Sequence, residues 1–459
     1  MSSVRSAIVV GGGISGLSAA HYLTRAGVGV TLIEKEPRLG GVMQTEFIDG
    51  CTLELGPDSF LAAKPWLLDL IRDLGLSDDV IGSNDHLRKS YILRHGRLVP
   101  MPDGLMMVVP TKVLPLLASP LLSWRTKIRM GLEWFRRPGA PQVDRSVAEF
   151  LRDHYGQESV DYLGEPLLSG VYGGDPAELS VVSVLPRFAE IEAKYGSLTR
   201  GVLAARGKGQ ASRPLFQSLK GGLAAISDAI VRKAGERLMV IQGTADAMER
   251  IGDCWRVRVN RACVSEVWCE ARDVVLACRA YESAGLLGPL APELAELLAA
   301  IPYTSSMTLA LGYRRADVNH PLNGFGFLVP KTERGLLLGC TWVGTKFSHR
   351  VPDDKAVLRC FMAGDSLTRR DDDIVATARA EILRIMGVDA EPVFAKISRW
   401  PRSMAQYTVG HSERVKRIEM LAAALTGLHL AGSAYHGIGL PDCVRTGRTA
   451  ADRIAGSAA

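Results

Sequence analysis

Near the N-terminus, Gly11-Gly12-Gly13-Ile14-Ser15-Gly16 sets Gly11, Gly13 and Gly16 in the GxGxxG spacing that cradles a dinucleotide. Gly11 permits a tight turn, Gly13 lets the backbone approach a pyrophosphate, and Gly16 lets a helix pack close to the preceding strand. The free N–H groups and positive dipole end of that helix then face the phosphates. Glu34 follows at the distance where a carboxylate accepts hydrogen bonds from the adenosine ribose hydroxyls, and an acid there disfavours a 2′-phosphate. A second glycine-rich run, Gly432-Ser433-Ala434-Tyr435-His436-Gly437-Ile438-Gly439-Leu440-Pro441-Asp442-Cys443, lies near the far end.

These loops need elements to position them. The apolar run 7–10 reads as a buried parallel strand leading into the fingerprint. Leu17, Ala20, Leu23 and Ala26 recur at three-residue steps, which predicts a helix stopped by Gly27. A second strand is expected over 28–33, another over 238–241, and a strand–loop–helix over 428–454 with its helix beginning near Val444. Both ends of the chain thus contribute to one nucleotide-binding domain. A helix N-terminus in the last loop would stabilise negative charge on a bound cofactor.

The extended pattern Lys35-Glu36-Pro37-Arg38-Leu39-Gly40-Gly41 resembles the second half of the long fingerprint of flavoproteins with two dinucleotide-binding domains. This resemblance turns the reading from NAD to FAD and implies that Arg38 and Gly41 hold the far side of the pyrophosphate, Arg38 through its fork of donors.

The bulk numbers set outer bounds. With 459 residues, 47% hydrophobic and 23% charged, two or three domains are expected. A net charge of +6, interspersed along the chain, gives nucleic-acid binding little support. Cys51, Cys254, Cys263, Cys269, Cys278, Cys340, Cys360 and Cys443 form no CxxC pair and no metal-ligand spacing, so reduced thiols in a cytoplasmic chain are expected. The N-terminal stretch, with a short apolar run ending in glycines, does not read as a signal peptide. The most apolar stretch, 113–124, is broken by Pro115 and Pro120 and falls short of the ~20 residues a span needs. The apolar stretch 114–134 carries Arg125, Lys127 and Arg129, with Arg136 and Arg137 after it. It leaves two readings open: an amphipathic helix lying on anionic lipid, or a buried helix pair with a solvated face.

Further elements follow in order: Gly56-Pro57-Asp58-Ser59-Phe60, Ser169-Gly170-Val171-Tyr172-Gly173-Gly174-Asp175, Lys220-Gly221-Gly222, Gly324-Phe325-Gly326-Phe327-Leu328-Val329-Pro330, Trp400-Pro401, Gln406-Tyr407 and Gly437-Ile438-Gly439-Leu440-Pro441-Asp442-Cys443. This series resembles the protoporphyrinogen oxidase family over essentially the whole chain. The Gly56 to Phe60 form is similar to that of the Gram-positive branch, whose members oxidise coproporphyrinogen III. The resemblance implies an α/β fold in which a Rossmann-like FAD domain (1–90, 210–290 and 395–459) joins a monoamine-oxidase-like α+β substrate domain (290–395). A helical insertion (100–205), which touches the membrane in some relatives, completes it.

The resemblance also implies one non-covalently held FAD, O2 as acceptor and hand-over of the product to a ferrochelatase. The FAD contacts it assigns are Gly11, Gly12, Gly13, Ile14, Ser15, Gly16, Glu34, Lys35, Arg38, Gly41, Val42, Gly56, Pro57, Asp58, Ser59, Val240, Trp400, Gly432, Ile438, Gly439 and Leu440. For the porphyrinogen it implies Asp58 near the flavin ring, Lys64 beside the substrate, Val171 as a slot wall, and Phe327 and Leu328 packed on the macrocycle. Arg88, Lys89 and Arg97 are the cations open to the propionates. Three bland roles stand beside these: Lys64 as a surface lysine before Pro65, Phe327 as core, and Asp58 as the cap of a helix starting near Ser59. Two rival functions also stand. One is a flavin amine oxidase, with Tyr407 and Tyr435 as its aromatic cage, or a polyene desaturase. The other is an FAD-binding protein without catalysis.

Overall fold

The structure is a computed structural model that describes residues 5–139, 143–205, 214–261 and 264–456, so Cys263 lies outside the described residues. Its centre is a five-stranded parallel sheet in the order Leu238–Gln242, Gly29–Glu34, Ser6–Val10, Asp273–Leu276, Leu428–Leu430. The strand Ser6–Val10 shows why it belongs in the middle. Ala7 and Val9 pack into one core cluster and Ile8 and Val10 into another, as a strand covered on both faces requires. One face carries the helices Ile14–Arg25, Ala225–Ala234 and Leu440–Gly456, which bury Leu17, Ile226, Ile230 and Val444 together. The other face is covered by the antiparallel meander Thr244–Ile251, Cys254–Arg261, Val264–Ala271, with Trp255, Val257 and Val259 inward. The C-terminal helix starts at Leu440, four residues earlier than the pattern indicates, because the turn closed by Cys443 N–H to the Gly439 carbonyl (3.0 Å) already holds helical geometry.

A second sheet of seven strands runs Phe394–Ala405, Tyr303–Arg314, Lys355–Ala363, Leu337–Trp342, Gly326–Leu328, Ser90–Arg94, Arg97–Pro100. It is antiparallel except where Gly326–Leu328 meets Ser90–Arg94. Helix Asp371–Met386 covers one of its faces through Ile374, Ala378 and Ile382.

The described residues of 113–204 are mostly short helices. Val113–Ala118 and Trp124–Leu132 are separate, parted at Pro120, and the second is capped by the Ser123 hydroxyl, which accepts from Thr126 N–H. Lys127 is buried; its ammonium donates to the carbonyls of Leu117 (2.8 Å) and Ser119 (2.7 Å) and staples the pair. It is therefore no part of a basic outer face. Leu116, Leu121, Leu122 and Met130 are buried in the core, while Leu114 is 79% and Phe135 74% exposed, with Val113, Trp124, Ile128 and Leu132 exposed around them. The stretch is thus buried on one side, and its other side is apolar where the buried-pair reading expects a solvated polar face. Among the described residues no helix is long and apolar enough to cross a membrane.

Candidate functional site

The fingerprint strand, helix and loop fold as their glycines demand. Gly11 has φ +105°, and a Cβ there would meet Ala277 backbone atoms at 2.9 Å. A Cβ on Gly16 would lie 1.9 Å from the Gly11 carbonyl oxygen, whereas one on Gly13 would meet nothing within 4 Å. The floor is thus closed against side chains and the mouth above Gly13 is open, which is the shape a pyrophosphate needs. No side chain caps the helix Ile14–Arg25, so its first N–H groups stay free for a phosphate. Glu34, buried, accepts from Gly12 N–H (2.6 Å) and Glu36 N–H (2.8 Å). A Cβ on Gly41 would sit 3.1 Å from Gly13 Cα, and one on Gly56 would sit 2.0 Å from the Val42 carbonyl oxygen. Gly12, Gly13, Glu34, Gly41, Val42 and Gly56 are therefore one contiguous cradle. These residues fit FAD.

The last loop reaches the same edge. Strands Ser6–Val10 and Leu428–Leu430 are members of one parallel sheet, and each is followed by a glycine loop and a helix. Both helices thus start at the carboxyl edge, where open α/β sheets bind ligands. They pack so closely that a Cβ on Gly447 would meet the Ser15 carbonyl oxygen at 2.2 Å. Gly432 has φ +138° and donates to Thr446 Oγ1 at 3.1 Å. Ile438 and Gly439 are half-buried beside it. Tyr407 braces this loop, its hydroxyl donating to the Ser433 carbonyl (2.8 Å) and accepting from Gly437 N–H (2.7 Å).

Residues 56–59 are held from the second sheet. The Asp58 carboxylate accepts from Lys346 Nζ at 2.8 Å and from Ser59 Oγ at 2.7 Å, and lies 3.9 Å from Arg359 Nη1. Burial pushes the Asp58 carboxyl up, but Lys346 and Arg359 outweigh it and hold the group well below the usual carboxylate range. No helix starts at Ser59, which precedes the short strand Phe60–Leu61, so the capping role for Asp58 fails. Trp400 is half-buried and its indole N–H donates to the Leu55 carbonyl at 3.0 Å, which places it against this segment. Beneath lies a buried pair, Arg350 with Glu54 at 3.0 Å.

Lys64 is not a free surface lysine. It precedes helix Pro65–Asp73 and pairs with buried Asp442 at 2.5 Å, joining 56–64 to the last loop. Val171 lies in the last turn of the helix Glu165–Tyr172 and is 57% exposed. A Cβ on neighbouring Gly170 would contact the side chain of half-buried Leu328 at 3.4 Å, so this helix packs against strand Gly326–Leu328. That helix is locked by Arg334 to Glu165 (2.5 Å), Lys331 to Asp175 (3.0 Å) and Gln406 Nε2 to the Tyr172 carbonyl (2.8 Å).

Some expectations are redirected. Phe327 is 2% exposed and packs with Leu93, Trp342 and Ile382 in the core under helix Asp371–Met386. Strand alternation sends it to the face opposite Leu328, so it is core and has no surface for a macrocycle. Arg38 faces helix Ala225–Ala234, lining a cleft of about 590 Å³ with Ser227, Asp228 and Arg232. Lys35 is engaged by Glu282 at 2.6 Å. Val240 is half-exposed on the edge strand, paired with Leu32. Arg88 pairs with Asp85 at 3.8 Å, while Lys89 and Arg97 are exposed. Tyr407 and Tyr435 are both buried, and burial raises both hydroxyls well above their ordinary value. Committed to bracing the loop, Tyr407 cannot wall an open cage. Lys346, Arg359 and Asp442 were missed. Each is an isolated charge in its local sequence, and only strand pairing and helix packing bring it to the site.

With this geometry in place, the comparisons are specific. A family model described as flavin containing amine oxidoreductase matches residues 14–455. A coproporphyrinogen III oxidase of Bacillus subtilis (strain 168) is 33% identical over 461 residues, covering 96% of each chain. That of Propionibacterium freudenreichii subsp. freudenreichii is 34% identical over 486 residues, covering 97% of this chain and 90% of its own. A solved structure from Exiguobacterium sp. 255-15, provisionally named a protoporphyrinogen oxidase, superposes with a TM-score of 0.87 at 32% identity and complete coverage of both chains. An FAD cradle open at Gly13, a second glycine loop at the same sheet edge and these full-length likenesses place the chain in the flavin-containing amine oxidoreductase family.

Proposed function

We propose that this chain is an FAD-dependent porphyrinogen oxidase of haem biosynthesis, with coproporphyrinogen III as its substrate and O2 as the acceptor. The observation that carries the reading is that helix Glu165–Tyr172, with exposed Val171, abuts Leu328 at Gly170 and is tied by Gln406 to the segment whose Tyr407 braces the last glycine loop, in a chain whose full-length relatives bear porphyrinogen oxidase names. FAD held in this cradle would supply two-electron redox chemistry, so the six-electron oxidation of a porphyrinogen would take three rounds with O2 as the acceptor. The chain itself positions the macrocycle. Val171 and Leu328 offer apolar contact, and the helix that carries Val171 is pinned by Arg334, Lys331 and Gln406 so that the slot keeps its width. No base is needed near the ring, since pyrrole protons leave to solvent as it tautomerises.

FAD is held without a covalent bond in this reading. Cys443, in the last loop, is buried and its thiol is pushed up to about 11 by burial, so no thiolate is present to attack a cofactor. The amine oxidase reading loses its cage with Tyr407 and Tyr435. The exposed apolar surface of Val113, Leu114, Trp124, Ile128 and Phe135, flanked by exposed Lys112, Arg125 and Arg137, supports peripheral docking on anionic lipid.

The test is aerobic turnover of the FAD-bound protein with coproporphyrinogen III and protoporphyrinogen IX in parallel, read as porphyrin fluorescence over the autoxidation blank. Faster turnover of coproporphyrinogen III is expected. No product with either, from a protein holding FAD, would overturn the reading. Sedimentation with phosphatidylglycerol vesicles, lost in Leu114→Glu/Phe135→Glu, checks the lipid contact.

A further inference from the structure

Asp442 occupies an unusual place for an acid. It is 4% exposed in the first turn of helix Leu440–Gly456, directly beneath the loop of residues 437–439. Gly437 has φ +117°, and a Cβ there would lie 2.5 Å from Asp442 Cγ; one on Gly439 would lie 3.3 Å from Asp442 Oδ2. An acid in a first turn suits a helix whose N-terminus faces water. This N-terminus lies at the cofactor edge, where the negative charge gained on two-electron reduction of FAD would meet it. Left alone, the Asp442 carboxylate would oppose that charge. Two cations answer it: Lys64 Nζ at 2.5 Å from Oδ2, and Arg445 Nη2 at 3.7 Å from Oδ1. Lys64 comes from the opposite side of the site, 378 positions away in sequence, and is half-exposed.

The geometry points to Lys64 as a positioning residue that sets the reduction potential of bound FAD by neutralising Asp442 beneath the last glycine loop. The redox step balances as follows. A hydride leaving the porphyrinogen brings two electrons and one proton to FAD, which gains one negative charge, and the substrate then releases one proton to solvent. Neutralised, Asp442 leaves the helix N-terminus effectively positive for that charge; without Lys64 only Arg445, 3.7 Å away and partly exposed, answers it, and the carboxylate offsets the helix end. The inference rests on FAD lying along both glycine loops. Failure of that placement would appear as wild-type protein that binds no FAD, whereas failure of this proposal would appear as unaltered potentials in proteins that do.

The experiment is a dye-coupled spectroscopic titration of bound FAD in the wild type, Lys64→Met, Lys64→Arg, Asp442→Asn and the double variant Lys64→Met/Asp442→Asn. In Lys64→Met the equilibrium is expected to shift about tenfold toward oxidised FAD, ~30 mV lower for a two-electron couple. Lys64→Arg should hold the wild-type value. Asp442→Asn should shift it about tenfold the other way, and the double variant should return toward the wild type. An unchanged potential in Lys64→Met overturns the proposal. So does a lowered potential that the double variant fails to restore, because Lys64 would then act without Asp442. If Lys64→Met holds no FAD, the Asp442→Asn potential decides, and no rise there overturns it.

Discussion

Lys346→Met tests whether the residue 56–59 segment is held electrostatically. The substitution keeps most of the aliphatic stem and removes the ammonium, which sits 2.8 Å from Asp58, 3.2 Å from Ser59 Oγ, and 4.8 and 5.4 Å from the ring centroids of Phe216 and Phe347. Breaking a fully buried ion pair from one side costs about 3–5 kcal/mol. Here the side chains of Asp58 and Lys346 are 21% and 12% exposed, and Arg359 remains 3.9 Å from the carboxylate, so the loss should be smaller, ~2 kcal/mol. That is roughly a thirtyfold change in the unfolding equilibrium. Urea unfolding followed by tryptophan fluorescence reads it, with Lys416→Met, at an exposed pair with Glu413, as a control expected to show no measurable change. The acid limb adds a signature. Asp58 has a depressed folded pKa, so its stabilisation is present above the unfolded carboxylate value, ~3.9, and is lost as pH falls toward the folded value. Lys346→Met should weaken this depression and shrink the contribution of Asp58 at neutral pH. A variant with the wild-type urea midpoint and slope would refute the idea that Lys346 holds Asp58.

Gly16→Ala should yield protein without bound FAD, seen as loss of the yellow absorbance after purification, because its Cβ would fall 1.9 Å from the Gly11 carbonyl oxygen and spread the cradle. Val171→Trp should leave FAD bound and cut porphyrinogen turnover at least tenfold, with retained turnover counting against the slot. Burial holds the His411 imidazole down at about 4, stacked on Tyr407 at 4.0 Å between ring centroids. A base with a lowered folded pKa stabilises fully above its unfolded value, ~6.5, and loses that stability as pH falls toward the folded value. His411→Phe should therefore lose less stability than the wild type between about pH 6.5 and 4, by up to ~3 kcal/mol, measured as the difference between their urea midpoints across that range.

The cradle was legible because its physics is local. Gly11 has φ +105° and a Cβ on Gly16 would strike the Gly11 carbonyl, constraints set within a few residues, and Glu34 follows at a spacing that one strand–helix–strand unit imposes. The same holds for the last loop, where Gly432 to Leu440 bridge a short strand and a helix. The resemblance to porphyrinogen oxidases was carried by motifs of this kind, and the family assignment and FAD followed from them. What the amino-acid sequence left open is whatever depends on which face a residue takes or which distant charge it meets. In the run 324–330 every apolar residue looks alike, and only the pairing of Gly326–Leu328 with both neighbouring strands sends Phe327 into the core and leaves Leu328 toward the slot. Pro120 broke an apolar stretch into two helices, but their outward turn depends on Lys127 stapling them from beneath. Asp58 with Lys346, Glu54 with Arg350 and Lys64 with Asp442 are separated by 288, 296 and 378 positions. Local sequence carries no trace of such partners, because a charge is recognisable as buried and paired only after two sheets and the C-terminal helix have closed around it.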